Sequence, residues 1–434
     1  MLNRRQALIG AALLSGGAAR ADTALRRLAD PAHPDAVLGV AAIARGPRGE
    51  VRFAEAAGSG LSGEGAAVRT RPFTLDTPVR VASISKLAAA VGFMRLAEAG
   101  RLSAEADVSG WLGFRLRHPA HPDVPITPAL LASHLSGLRD TETYPVPVGR
   151  RLVDALTPGG AQFDPGWWSP AGERPGRFFT YGNVNFAVLA QVMERASGER
   201  FDRLMTRTVF APLGLDCGYN WSGVSQAKRD RASACCRRTG GVWTAEVDAV
   251  VPPAPGVRIL PAPDQPKITA DDYRLGDNGW AFSPQGGLRA SVRDLDALAQ
   301  LLARGGRLGR VRLLRPGSTA RMGRPLWRYD AAAANGNTDR GLMRAYGFSV
   351  QLLTGRPGKD GDSLFGPDSS GWRGHLGEAY GLLSGLWWNA RDGRTLAYVI
   401  NGTPRDGAVE PGRRSAFSVW EEGVVDAALG GRRG

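Results

Sequence analysis

Both ends of the chain carry apolar runs of strand length. Residues 37–44 and 51–56 flank Gly46-Pro47-Arg48-Gly49, a pattern that predicts a β-hairpin. Residues 381–388 and 395–400 form a second pair around Asn389-Ala390-Arg391-Asp392-Gly393. Residues 416–429 then read as a closing helix. The middle changes period. Residues 87–99, 128–134, 184–197, 201–210 and 294–303 space their apolar positions as helices do, with Gly and Pro between them. Residues 235–275 are Pro-rich and irregular. Strands at both ends with helices between predict a discontinuous α/β (α+β) domain carrying an inserted, mostly helical region. The sheet part draws on about residues 22–82 and 276–434, the helical part on about 83–275. The seam between the two is the place to look for a site.

Composition narrows the class. The 434 residues are 43% hydrophobic and 22% charged, which fills a core and excludes collagen-like, disordered and multi-span membrane chains. The formal charge is +14, from 55 Lys+Arg against 41 Asp+Glu. Only four of the cations are lysines: Lys86, Lys228, Lys267 and Lys359. The arginines are spread along the chain instead of clustering with aromatics, so no nucleic-acid partner is expected. The first 21 residues have the form of an export signal. A start containing Arg4 and Arg5 precedes a short apolar run, residues 7–14, and the A-x-A sequence Ala19-Arg20-Ala21. The Arg4-Arg5 pair resembles a twin-arginine leader. The run is too short to span a bilayer, and no later stretch is long and apolar enough. Removing residues 1–21 takes three arginines and no acid, lowering the charge from +14 to +11. The expectation is a bacterial protein exported to the periplasm or the medium. The oligomeric state is left open.

Outside the cytoplasm cysteines are free to pair. Cys217 with Cys235 or Cys236 would close a loop of about 20 residues, worth roughly 3 kcal/mol in the chain-entropy picture. Three unpaired thiols are the alternative, and both stay open here. The cysteine spacing is not that of metal ligands, and His118 and His121 lie in Pro-rich sequence without a carboxylate cluster. No metal and no cofactor are expected.

The chemistry begins at Ser83-Ile84-Ser85-Lys86. Residues 87–94 carry no charge, and Gly100 stands where a helix would end. This predicts a helix buried on most sides, with Ser83 at its start and Lys86 one turn on, along the same face. A buried lysine is costly unless it is used. In a chain that otherwise prefers Arg, this position is Lys. Arg stays protonated in proteins, whereas a desolvated Lys gives up its proton readily. A neutral amine beside a serine hydroxyl makes an activated nucleophile, and the helix start supplies N–H groups for an oxyanion. A second S-x-x-K, Ser225 to Lys228, runs into Arg229-Asp230-Arg231 and is read as a coincidence in a solvated charge run. Tyr181-Gly182-Asn183 precedes an apolar helix, where Asn183 alone would read as an N-cap. Gly374-His375-Leu376-Gly377 precedes the last strand pair.

Together, in this order and spacing, these three motifs resemble the serine β-lactamase and penicillin-binding protein superfamily, nearest its class C-like branch of DD-peptidases and esterases. Further segments extend the likeness: residues 77–82 before Ser83, Leu130 to Leu138 with its His134-Leu135-Ser136-Gly137 stretch, Pro175 to Phe178, Phe210 to Leu215, Gly286-Gly287-Leu288, and Ser291 to Leu295. The resemblance covers most of residues 35–402.

It implies a site. Ser83 would be the acylated nucleophile, and Lys86 would take its proton or tune the base. Tyr181 would shuttle protons, its pKa lowered by Lys86. Asn183 would hold the substrate amide or Lys86. His375 and Gly377 would lie on the edge strand lining the site, and the N–H groups of Ser83 and Glu378 would form the oxyanion hole. Many β-lactamases of the superfamily have Lys-Thr-Gly where this chain has His375-Leu376-Gly377. The fixed cation and the hydroxyl are thus missing from the strand, and His is mostly neutral at pH 7. An esterase or D-Ala-type peptidase is therefore expected ahead of a β-lactamase, with a small-molecule or peptide substrate. A non-catalytic penicillin- or cell-wall-peptide-binding relative is the alternative of a different class. No G-x-S-x-G, H-E-x-x-H or Walker A sequence competes.

Overall fold

The computed structural model describes residues 24–63, 68–142, 144–147, 149–248, 273–404 and 411–430. The expected leader, residues 1–21, and most of the Pro-rich stretch lie outside them. The central feature is a nine-stranded antiparallel sheet. Its strands are β1 (Gly39–Arg45), β2 (Val51–Ser62), β3 (Arg69–Pro72), β4 (Trp327–Arg328), β5 (Ala345–Tyr346), β6 (Gln351–Leu352), β7 (Trp372–Ala379), β8 (Leu382–Asn389) and β9 (Thr395–Asn401). The order across the sheet is β4-β5-β6-β7-β8-β9-β1-β2-β3. The N-terminal hairpin is thus inserted beside the C-terminal strands, with Gly39 opposite Asn401 and Arg45 opposite Thr395.

The central strands are covered on both faces, which explains why β1 reads as a continuous apolar run. Ala41 and Ile43 enter one core with helix α3 (Val292–Ala303), whereas Val40, Ala42 and Ala44 enter a second with α4 (Val419–Leu429). Both helices open with a capping box, Ser291 with Asp294 and Ser418 with Glu421. Helix α1 (Ile84–Glu98) packs beside β7 and β8. Every residue from Ile84 to Met94 is buried, as an uncharged run demands. Gly100, at φ +73°, ends it with the Arg101 N–H on Leu96 O at 3.0 Å. Helix α2 (Val184–Ser197) packs against α1.

One expectation changes and one open alternative is resolved. Cys235–Thr239 and Val242–Val247 form a hairpin at the start of the stretch read as irregular. Its two-residue turn is Gly240-Gly241, both at positive φ, the pairing a type I′ turn requires. The three cysteines are free and buried, so the unpaired alternative holds. No helix among the described residues is long and apolar enough to cross a membrane.

Candidate active site

The nucleophile sits on a strained corner. The short strand Val79–Arg80 pairs with Leu288–Ala290, and the chain then turns sharply at Ala82, a non-glycine residue at φ +47°. Such a conformation costs on the order of 1 kcal/mol and persists only when its surroundings enforce it. Ser85 does so: its hydroxyl donates to Ala82 O at 2.6 Å and accepts from the Leu288 N–H at 2.9 Å. Ser384 of β8 donates to Val81 O at 2.9 Å. Ser83 is therefore held at the start of α1, partly open to a cleft of about 340 Å³ at the seam of sheet and helical region.

Lys86 is wholly buried and meets three acceptors. Nζ donates to Asn183 Oδ1 at 2.7 Å and to Gln285 O at 2.9 Å, and stands 2.9 Å from Ser83 Oγ. An ammonium would spend its three protons on these three atoms. The neutral amine keeps two and turns its lone pair to the serine hydroxyl. Burial, assisted by the charge of Arg80, pulls Lys86 down to about 7, against an opposing pull from Asp140.

Tyr181 stands on the other side of Ser83. The Lys86 ammonium lies 5.0 Å from the centroid of its ring, and His134 stacks on that ring at 4.2 Å. His134 is itself fixed by the Gly182 N–H, which donates to Nδ1 at 3.2 Å. Burial raises Tyr181 above the ordinary phenol range, although a hydrogen bond with Ser83 opposes the shift. For Tyr181 this is opposite to the lowering that the resemblance implied, whereas the loosened proton on Lys86 agrees with the sequence reading. Lys86, not Tyr181, is the group whose proton is loosened, because desolvation acts in opposite directions on a cationic acid and a neutral one.

Asn183 begins α2 and makes no side-chain cap. Asp140 takes that place, accepting from the N–H groups of Asn183 and Val184, each at 2.9 Å, and from Asn183 Nδ2 at 2.8 Å. The Asn183 amide is thereby oriented with its oxygen on Lys86. Neither Asp140 nor Gln285 was singled out in the sequence. Asp140 lies 43 positions from Asn183, and Gln285 acts through a backbone carbonyl that no side-chain motif records.

Strand β7 closes the cleft. Leu376 and Glu378 line it; Glu378 reaches solvent at the mouth, where the flanking walls and the charges of Glu421 and Asp339 raise its carboxyl. Gly377 faces the nucleophile's backbone. A Cβ there would stand 2.6 Å from Val81 O and 3.1 Å from the Ser83 nitrogen. His375 does not line the cleft. It is fully buried behind it, with Nε2 2.6 Å from the Tyr346 hydroxyl, and burial takes its pKa down to about 3. The structure therefore gathers Ser83, Lys86, Tyr181, Asn183, Gly377 and Glu378 and sets His375 apart as a neutral buttress. β6 meets β7 only at Arg373 and Gly374, so, among the described residues, 375–379 have one sheet neighbour, β8.

The second S-x-x-K also differs from its sequence reading. Lys228 is buried, donating to Asp294 Oδ2 at 2.8 Å and Ser291 Oγ at 3.0 Å, and Ser225 caps its short helix. It is a structural ion pair and not a solvated run. His118 and His121 bond the carbonyls of Ser169 and Ala171 at 2.9 and 2.7 Å.

A serine hydroxyl lies against a buried, easily deprotonated lysine, with a tyrosine and a sheet strand beside it, the arrangement an activated serine nucleophile needs. The sequence model of the Beta-lactamase family matches residues 25–419, and the chain belongs to that family. It is 28% identical over 154 residues to Penicillin-binding protein 4* of Bacillus subtilis, 34% of this chain and 31% of that protein. It is 26% identical over 197 residues to the D-alanyl-D-alanine-carboxypeptidase/endopeptidase AmpH of Escherichia coli, 40% of this chain and 47% of that protein. These matches span less than half the length of either relative. Among solved structures, EstCE1, a hydrolase with promiscuous acyltransferase activity, superposes with a TM-score of 0.64 at 19% identity, covering 95% of this chain and 98% of that one. That likeness shows the fold.

Proposed function

We propose that the protein is an exported hydrolase that cleaves an ester or amide, of esterase or D-Ala-peptidase type, through an acyl-enzyme on Ser83. The observation that carries this reading is the wholly buried Lys86 Nζ, 2.9 Å from Ser83 Oγ and anchored by two other acceptors. Neutral Lys86 takes the hydroxyl proton as Oγ attacks the substrate carbonyl. The N–H groups of Ser83 and Glu378 receive the oxyanion. Tyr181, a weak acid kept protonated, hands its proton to the leaving alcohol or amine and is recharged from Lys86. Water then attacks the acyl group, its proton returning through the same pair while Ser83 Oγ leaves. The open side of residues 375–379 offers an extended substrate a strand to lie along. The likeness to AmpH, a D-alanyl-D-alanine-carboxypeptidase/endopeptidase, supports a peptide substrate, and the missing strand lysine argues against β-lactams. Export rests on the form of residues 1–21 and on the basic balance of the chain.

The test is mass spectrometry of the protein, residues 22–434, quenched during turnover of a p-nitrophenyl ester, an acyl-D-Ala-D-Ala peptide and a chromogenic cephalosporin. An acyl mass on the peptide containing Ser83, lost in Ser83→Ala and kept in Ser225→Ala, is expected with the first or second. Turnover that survives in a folded Ser83→Ala variant refutes the assignment.

A further inference from the structure

The cleft holds a cation that the proposed chemistry does not use. Arg80 lies on the short strand three residues before Ser83 and lines the cleft. Across the strand pair its partner is Arg289. These two guanidiniums face a single carboxylate, and Arg289 takes it. Asp248 receives Arg289 Nε at 3.0 Å and Nη2 at 2.8 Å, while Arg289 Nη1 is spent on Asn220 Oδ1 and Gly287 O. Arg80 makes no ion pair and no side-chain hydrogen bond among the described residues, and its Nε is buried without a partner. Its guanidinium lies over the ring of Tyr380, another cleft residue, at 5.2 Å from the centroid.

The position of the group is informative. A Cβ on Gly286 would lie 3.6 Å from Arg80 Nη2 and 4.0 Å from Ala82 O. Gly286 follows the residue that holds Lys86, and Ala82 precedes the nucleophile. The guanidinium thus stands against Gly286, whose absent side chain leaves it uncovered. On β7, the strand position that could have carried a cation is His375, buried away from the cleft and bonded to Tyr346. A partly buried, unpaired guanidinium is unfavourable unless something satisfies it, and its planar fork matches a carboxylate with two parallel hydrogen bonds.

We propose that Arg80 is the receptor for a carboxylate of the substrate, so that the enzyme prefers esters or amides bearing a free carboxylate near the scissile bond. The inference rests on the hydrolase reading and names its substrate class. Two matched pairs of substrates test it. One carries the carboxylate in the acyl part, mono-p-nitrophenyl adipate against p-nitrophenyl hexanoate. The other carries it in the leaving group, hippuryl thioglycolate against its methyl ester. In the wild type the anionic member of at least one pair should lead by tenfold or more in kcat/KM. Arg80→Gln should reduce that lead at least tenfold, mainly through KM, and Arg80→Lys should restore part of it. An anionic-to-neutral ratio that Arg80→Gln leaves unchanged in both pairs overturns the proposal, as does a wild type that favours the neutral members. A measurement without any variant guards against misfolding: adipate should compete with p-nitrophenyl hexanoate and adipamide should not, and equal inhibition by the two overturns the proposal. If the wild type turns over none of the four substrates and Ser83 is not acylated, the hydrolase reading falls first, a result distinct from turnover without selectivity.

Discussion

Replacing Lys86 with Arg keeps the charge and removes the one property the site is built around. Lys86 is wholly buried, and three acceptors surround its nitrogen at 2.7 to 2.9 Å. At about 7 its pKa leaves roughly half of the enzyme with a neutral amine at pH 7. Guanidinium stays protonated at every working pH, so Arg at this position has no lone pair to offer Ser83. General-base catalysis is worth about 10²–10⁴-fold, and acylation should fall by that factor, about 3–5 kcal/mol. The wild type should also show an acid limb, its acylation rate dropping about tenfold per pH unit below about 7 as the ammonium fills. The assay is stopped-flow acylation by a p-nitrophenyl ester from pH 5 to 9, with circular dichroism to verify folding. Stability gives a second reading of the same pKa. The folded protein binds fewer protons at Lys86 than the unfolded chain between about 7 and the ordinary 10.5, so this residue's contribution becomes more favourable as pH rises through that window. Relative to Lys86→Met, the wild type should gain about 1.4 kcal/mol per pH unit there. A folded Lys86→Arg enzyme that acylates within about tenfold of wild type, or that keeps the acid limb, would refute the proton-transfer role.

Asp140→Asn weakens three charge-assisted hydrogen bonds at the start of α2, which should cost about 1–3 kcal/mol in urea unfolding. Because the Asp140 charge favours the Lys86 ammonium, its loss should move the acid limb of acylation to lower pH; a limb that stays in place or moves up contradicts the electrostatic reading. Gly377→Ala places a methyl 2.6 Å from Val81 O and should push β7 off the nucleophile, destabilising by about 1–3 kcal/mol and slowing acylation more than it weakens binding. A fully active Gly377→Ala enzyme would show that the close approach is dispensable. His375, depressed to about 3 from the ordinary 6.5, contributes stability above about 6.5 that is lost as pH falls toward 3. Between pH 6.5 and 4.5 the wild type should lose about 2–3 kcal/mol relative to His375→Gln, which keeps a partner for Tyr346; parallel losses in the two proteins would deny the buried neutral histidine.

Periodicity was legible where one physical demand acts on a whole segment. The uncharged run after Lys86 became a helix buried over its first eleven residues, and the two terminal strand pairs met in one sheet. The fine structure was not legible. β4, β5 and β6 are two residues each, too short to show alternation, and β7 interrupts its pattern with glycines that serve close approach. Gly240-Gly241 did signal a hairpin, but the Pro-rich sequence after it drew the reading toward irregular structure. At the site, Ser83, Lys86 and Tyr181 were readable because their side chains perform the chemistry. Gln285 was hidden because its contribution is a carbonyl. His375 was misplaced because it shares the strand face of Gly377, which packs against the nucleophile's backbone, so its side chain is covered there instead of opening to the cleft. Its neighbours Leu376 and Glu378 line the cleft instead.

The two S-x-x-K sequences show what separates a base from a structural cation. Both lysines are buried one turn after a serine at a helix start. Lys228 Nζ donates to the Asp294 carboxylate at 2.8 Å, one half of a buried ion pair. Lys86 touches no carboxylate among the described residues. Asp140 lies one amide away, with its charge on Asn183 Nδ2 and the Asn183 oxygen on Lys86. The amide relays orientation and dipole without bringing a full negative charge to the amine, so desolvation prevails and the proton is loosened. The serines diverge in the same way. Ser225 donates to Asp216 at 2.5 Å and caps Lys228 N, so both functions of its hydroxyl are used in folding. Ser83 makes no side-chain cap, and Ser85 takes up the task of bracing the corner. Each burden that would fix the nucleophile or charge its base has been moved one residue or one side chain away, which keeps Ser83 and Lys86 free to react with each other.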